Sequence, residues 1–188
     1  MTEYKGIKGG KVQNFDTDPD NPYVGQVWYN QTLGDLRVRA TTLTSAWATG
    51  GNLNTAKYLM GAAGTTTASI VAGGDPAPNL ALAESYNGTS WTEVNDLNTG
   101  RYWLAGSGTS TAGLFVGGDS PTKANVETWN GTSWTEDSDM STARGKLAGA
   151  GTQPSSLAFG GESPGTPFMA NTEEFTKPSF TVKTITSS

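Results

Sequence analysis

One phrase is written three times in this chain, and it limits the possible folds more than any other feature. From Leu53 the sequence runs LNTAKYLMGAAGTTTASIVAGG, then a loop, then LAESYNGTSW. From Leu97 it runs LNTGRYWLAGSGTSTAGLFVGG, a loop, then NVETWNGTSW. From Met140 it runs MSTARGKLAGAGTQPSSLAFGG, a loop, then NTEEFTKPSF. The pairs Gly73–Gly74, Gly117–Gly118 and Gly160–Gly161 stand 44 and then 43 residues apart, and Trp47, Trp91 and Trp134 keep the same steps. A fixed period of this length implies one supersecondary unit, copied and stacked so that neighbours bury each other's apolar faces.

Each unit divides into four short strands by its own punctuation. In the first, the pattern predicts strands over Tyr58–Ala63, Ala68–Ala72, Leu82–Tyr86 and Ser90–Val94. Turns fall at Gly64–Thr67, at Gly73–Gly74 and at Asn87–Gly88, a pair that tolerates the positive φ of a tight hairpin. Length varies in one loop per unit: Asp75–Leu80, Asp119–Ala124 and Glu162–Ala170. Equivalent loops of a repeat fold lie on one face, and that face is often the binding face. Asp75, Asn79, Asp119, Lys123, Glu162 and Phe168 are therefore candidate ligand contacts. Trp103 and Tyr102 join them, as residues that break the pattern, their equivalents being Leu59 and Lys146. The glycine pairs and Trp47, Trp91 and Trp134 are assigned to the architecture.

The chemistry available is narrow. The 188 residues contain no cysteine and no histidine, which removes disulfides, thiolate catalysis and the commonest general base and metal ligand. Net charge is −5 with only 15% charged residues, against a phosphate-neutralising nucleic-acid binder. No run reaches the ~18 apolar residues of a membrane span, and no apolar signal segment opens the chain. Glu84, Glu127 and Glu173 recur at equivalent places, as do Lys57, Arg101 and Arg144. Recurrence favours a structural role over a catalytic pair, which is normally unique; the cations either pair with these glutamates or are solvated. The expectation is no catalytic residue, no metal and no cofactor.

Outside the repeats, residues 1–22 read as a polar, Gly-rich arm. Asp16, Asp18 and Asp20 alternate as in the first half of a calcium loop, but Asn21 and Val27 replace its glycine and last glutamate. An acidic, proline-stiffened turn is the simpler reading. Val27-Trp28-Tyr29 and Leu36-Arg37-Val38 form a hairpin across a moderately long loop. Residues 41–52 look like the last strand of a unit whose other strands are missing. The division expected is an arm and hairpin over 1–45, and a repeat domain over 46–188.

The repeat resembles the kelch repeat. Its glycine pair, later aromatic and final aromatic fall at Gly73-Gly74, Tyr86 and Trp91, at Gly117-Gly118, Trp129 and Trp134, and at Gly160-Gly161, Phe175 and Phe180. The third copy departs, with Thr176-Lys177-Pro178 in place of the NGT turn. The resemblance covers about two thirds of the chain and implies an all-β fold of three four-stranded blades. That is part of a β-propeller, which association of copies would complete. Phrases of the type NGTSWTE, LNTAR and LAGAGT resemble those of predicted virion proteins of marine bacteriophages. Gly25, Trp28, Tyr29, Asn30, Gly34 and Leu36 resemble the core of a small module of phage tail-fibre proteins. These resemblances imply a non-enzymatic virion protein, a fibre or decoration component in a homo-oligomer with other virion proteins, contacting host-surface glycans. A free oligomeric lectin is the alternative.

Overall fold

In the computed structural model, the described residues are 12–20, 26–38, 45–75, 81–119 and 121–178. They contain strands and no helix, arranged in four small sheets. The chain divides into two compact units, residues 1–48 and 49–188.

The first unit carries β1 (Gln13–Phe15), β2 (Val27–Asn30) and β3 (Asp35–Val38) in the order β1-β2-β3. β2 and β3 form the expected hairpin, and the loop is the four residues Gln31–Gly34, closed by Gly34 N donating to Asn30 O at 2.8 Å. Within the arm, Gln13–Phe15 form a strand rather than an irregular segment, and β1 pairs in parallel with β2. Asp18 explains why. One oxygen accepts from Trp28 Nε1 at 3.0 Å and Asn30 Nδ2 at 2.8 Å, and the other from Arg37 Nη1 at 2.9 Å. These bonds hold the Asp18 carboxyl below its usual pKa, with Asn30 and Trp28 the leading causes. The acidic turn is thus a clasp on the hairpin.

The second unit contains three antiparallel sheets, one per repeat. Sheet I is β4 (Gly61–Thr65), β5 (Ala68–Ala72), β6 (Ala83–Tyr86) and β7 (Trp91–Val94). Sheet II is β8 (Ala105–Thr109), β9 (Ala112–Val116), β10 (Val126–Trp129) and β11 (Trp134–Asp137). Sheet III is β12 (Ala148–Thr152), β13 (Ser155–Phe159) and β14 (Thr172–Thr176), and the expected position of its fourth strand falls mostly outside the described residues.

Two boundaries differ from expectation for physical reasons. The first strand of a unit starts at Gly61, not Tyr58, because Leu59 and its counterparts Trp103 and Lys146 have φ of 60°, 55° and 56°. A left-handed residue cannot continue an extended strand. The Asn-Gly turn is a four-residue loop in which only the glycine has positive φ. Asn87 works through its side chain, whose Oδ1 accepts from Thr89 N and Ser90 N at 2.9 Å, and Asn130 repeats this with Thr132 and Ser133.

The sheets stack face to face, and the alternation of side chains along β9 shows how. Phe115 points to sheet I and joins Ile70, Ala72, Ala83, Trp129 and Trp134 in one core. Leu114 and Val116 point to sheet III and join Ala105, Val126, Ala158 and Phe175 in another. Phe115 lies edge-on to Trp134 at 5.1 Å, and Trp129 packs at 4.9 Å from Trp134. Full burial of Phe115 is worth about 1.5–3 kcal/mol. Tyr86 and Trp91 repeat the Trp129–Trp134 pair in sheet I at 4.9 Å. Of the tryptophans assigned to the architecture, Trp91 and Trp134 donate their indole N–H to Gly51 O and Asn95 O, whereas Trp47 is fully exposed.

Candidate functional site

The site grows from a buried anchor that recurs in each repeat. Glu84, Glu127 and Glu173 each reach back to the turn that leads into the first strand of their own sheet. Glu127 accepts from Asn98 N at 2.8 Å, Asn98 Nδ2 at 3.0 Å and Thr99 N at 3.3 Å. Glu84 does the same for Asn54 and Thr55, and Glu173 accepts from Ser141 N at 2.6 Å. The recurring cations are their partners rather than solvated groups. Lys57 lies 3.6 Å from Glu84, Arg101 2.5 Å from Glu127 and Arg144 2.7 Å from Glu173. Arg101 also donates to the carbonyls of Gly117, Thr99 and Phe115, so its charge is matched on most sides. In the third repeat Arg144 Nε is buried without a partner.

The residue after each anchoring cation meets the first residue of a variable loop. Tyr58, Tyr102 and Gly145 form two-way backbone bridges to Asp75, Asp119 and Glu162 respectively. The residue after each is the left-handed one, and these are chained: Trp103 N donates to Leu59 O at 2.7 Å, and Lys146 N to Trp103 O at 2.9 Å. A non-glycine residue in this conformation costs on the order of 1–2 kcal/mol, offset at Trp103 by a backbone bond on each side and at Leu59 and Lys146 by one each.

The result is a continuous row at one end of the stacked sheets. Tyr58 Oη donates to Asp75 Oδ2 at 2.6 Å. That bond, the Asp75 charge and neighbouring Tyr102 raise the phenol's pKa, so it stays a neutral donor. Tyr102 meets Trp103 edge-on at 5.1 Å, and Lys146 Nζ sits 3.8 Å from the centre of the Trp103 ring while pairing with Glu162. Thr122 Oγ1 donates to Asp119 Oδ1 at 3.2 Å.

Most of the sequence-derived candidates meet here. Asp75, Asp119, Glu162 and Trp103 belong to the row. Lys123 contributes its backbone, with its N–H on Gly118 O at 2.8 Å and its carbonyl accepting from Arg144 N at 3.1 Å. Phe168 is exposed in the third loop and makes no ring contact among the described residues. Asn79 lies outside the described residues. Tyr102 does not break the repeat, because it aligns with Tyr58 and bridges in the same way. Sequence reasoning missed Tyr58, Leu59 and Lys146 as members of the row. The signal was the tyrosine after the recurring cation, in Lys57-Tyr58 and Arg101-Tyr102.

Chemically, the row offers aromatic faces beside carboxylate acceptors, a combination suited to hydroxyl-rich ligands with apolar faces. A scan of the chain against protein-family models gives no match, and neither does a search of the curated proteins.

Proposed function

We propose that this chain is a non-enzymatic structural component of a bacteriophage virion, a fibre or decoration protein whose kelch-like blades present their loop-bearing end to glycans on the host surface. The observation that carries the binding half is the row Tyr58, Asp75, Tyr102, Trp103 and Lys146 at one end of the stacked sheets. The recurring glutamates, the best acids for a hydrolase, are occupied as turn caps and ion-pair partners, which favours adhesion over turnover. The virion half rests on the repeat phrases and on the resemblance of residues 25–36 to a tail-fibre module.

Two measurements test it. Deleting residues 1–40 should abolish incorporation into particles while residues 49–188 stay folded; incorporation at normal copy number would overturn the virion reading. Pure protein should bind a subset of a host-glycan array, and Trp103→Ala should weaken that binding about tenfold; an array blank at high protein concentration would overturn the adhesion reading. A free lectin would bind glycans equally well but would not enter particles.

A further inference from the structure

Each junction between sheets uses the same set of contacts. The aliphatic positions of one sheet pack on the aromatic face of the next, as Ile70 and Ala72 do on Phe115, Trp129 and Trp134. The second glycine of each pair donates to the carbonyl of the next repeat's cation, Gly74 to Arg101 and Gly118 to Arg144, both at 3.0 Å. The left-handed residue of the next repeat donates back, Trp103 to Leu59 and Lys146 to Trp103. The first glycine faces the same carbonyl so closely that a Cβ on Gly73 or Gly117 would stand 2.5 Å from Arg101 O or Arg144 O.

At the far face of sheet III the same groups are present and unused. Leu157 and Phe159 occupy the positions of Leu114 and Val116, yet are 40% and 38% exposed where those are 2% and 3%. Among the described residues, nothing accepts from Gly161 N and nothing donates to Lys146 O. A Cβ on Gly160 would meet only Met169 O, at 3.8 Å. The outer face of sheet I holds the complement. Val71, which is buried, and the half-buried Tyr86 and Trp91 stand where Phe115, Trp129 and Trp134 stand in sheet II, with the Trp91 indole on Gly51 O as that of Trp134 is on Asn95 O. Lys57 O and Leu59 N make no hydrogen bond among the described residues.

We propose that a second copy of this chain supplies the missing neighbour. The open face of sheet III docks on the outer face of sheet I of the second copy, in the register that already joins the sheets within one chain. Gly161 N then donates to Lys57 O of the second copy, whose Leu59 N donates to Lys146 O. The contact is head-to-tail, so it closes a ring or extends a filament. It does not depend on the virion or glycan readings.

Cysteine cross-linking tests it directly, because the chain has no cysteine of its own. Ser107 Oγ and Ser156 Oγ stand 2.5 Å apart across the junction of sheets II and III. Their counterparts across the proposed contact are Ala150 and Ser69, exposed and half-buried respectively, where cysteine is tolerated. Wild-type protein should have the mass of a multimer in solution. A mixture of Ala150→Cys and Ser69→Cys chains should give a covalent two-chain product on oxidation, and neither variant alone should. Leu157→Lys with Phe159→Lys should reduce the mass to one chain. A monomeric wild type, a multimer whose mixed variants do not cross-link, or cross-linking within either variant alone would overturn the proposal.

Discussion

Removing Glu127 should cost far more than removing its counterpart Glu173, although the two occupy the same place in the repeat. The Glu127 side chain is fully buried, as is that of Arg101. Glu127→Ala strands the N–H groups of Asn98 and Thr99, the Asn98 amide and a guanidinium away from water. Arg101 keeps three carbonyl acceptors, so its charge is partly compensated. Breaking a buried pair from one side costs about 3–5 kcal/mol. At ~2–4 °C per kcal/mol for a unit of this size, the midpoint should fall by roughly 6–20 °C. Glu173 is 22% exposed and holds fewer donors, so water replaces part of what Glu173→Ala removes, and the loss should be about 1–2 kcal/mol. Urea unfolding followed by tryptophan fluorescence, at matched protein concentration, measures both. Arg101→Met combined with Glu127→Leu removes the stranded charge but leaves the Asn98 and Thr99 N–H groups unpaired, so it should recover only part of the loss. If Glu127→Ala falls within about 1 kcal/mol of Glu173→Ala, or the double variant is no better than Glu127→Ala, the anchor is not what holds these turns.

Acid should act through Glu173. Burial raises its pKa, but the Ser141 bonds and Arg144 outweigh this and hold it below the ordinary 4.5. Its contribution is therefore complete above pH 4.5 and lost as the pH falls through the lower folded value, so the gap between wild type and Glu173→Gln should narrow there in acid-titrated melts. Gly165→Ala should cost about 1 kcal/mol, for the positive φ alone, because nothing lies within 4 Å of its Cβ position. Gly117→Ala should cost well beyond that, since its Cβ would also strike Arg144 O at 2.5 Å; equal losses in thermal melts would refute the close-approach reading. Trp103→Ala should weaken glycan binding about tenfold by calorimetry, equivalent to ~1.4 kcal/mol, with little change in melting temperature. Unchanged affinity would remove Trp103 from the contact surface.

Periodicity carried the fold well, because each repeated position does the same physical work in each copy. The glycine pairs and the aromatics within the three repeats could be placed by alignment of the chain with itself, and so could the recurrence of the glutamates and cations, but not their pairing. The boundaries could not. Leu59, Trp103 and Lys146 share no side-chain chemistry, so nothing in their identities announces a left-handed turn; the conformation is imposed by the backbone bonds that chain them. The same is true of Asp18, whose clasp on Trp28, Asn30 and Arg37 joins residues 10 to 19 apart with no repeat to reveal it. For the candidate site, Asp75, Asp119, Glu162 and Trp103 were legible because they lie in the variable loops or depart from their counterparts. Tyr58 was hidden by its regularity, and Lys146 by its reading as a mere counterpart of Trp103.

The departures from regularity also have a physical logic. Sheet II has a neighbour on both faces, and its repeat carries the largest residues of the stack: Phe115, Trp129 and Trp134, against Val71, Tyr86 and Trp91 in sheet I. Its ion pair is the most completely buried of the three. An end sheet with nothing against its outer face gains little from such residues, and a chain selected only for solubility would replace them there with polar ones. Sheet I keeps Val71, Tyr86 and Trp91 on its outer face, and sheet III does not follow that rule either. It keeps Leu157 and Phe159 at positions that burial alone would justify, and Phe159 is larger than its counterparts Val116 and Ala72. Keeping large apolar groups in the open is costly to solubility, a cost that the proposed docking of a second copy on this face would remove.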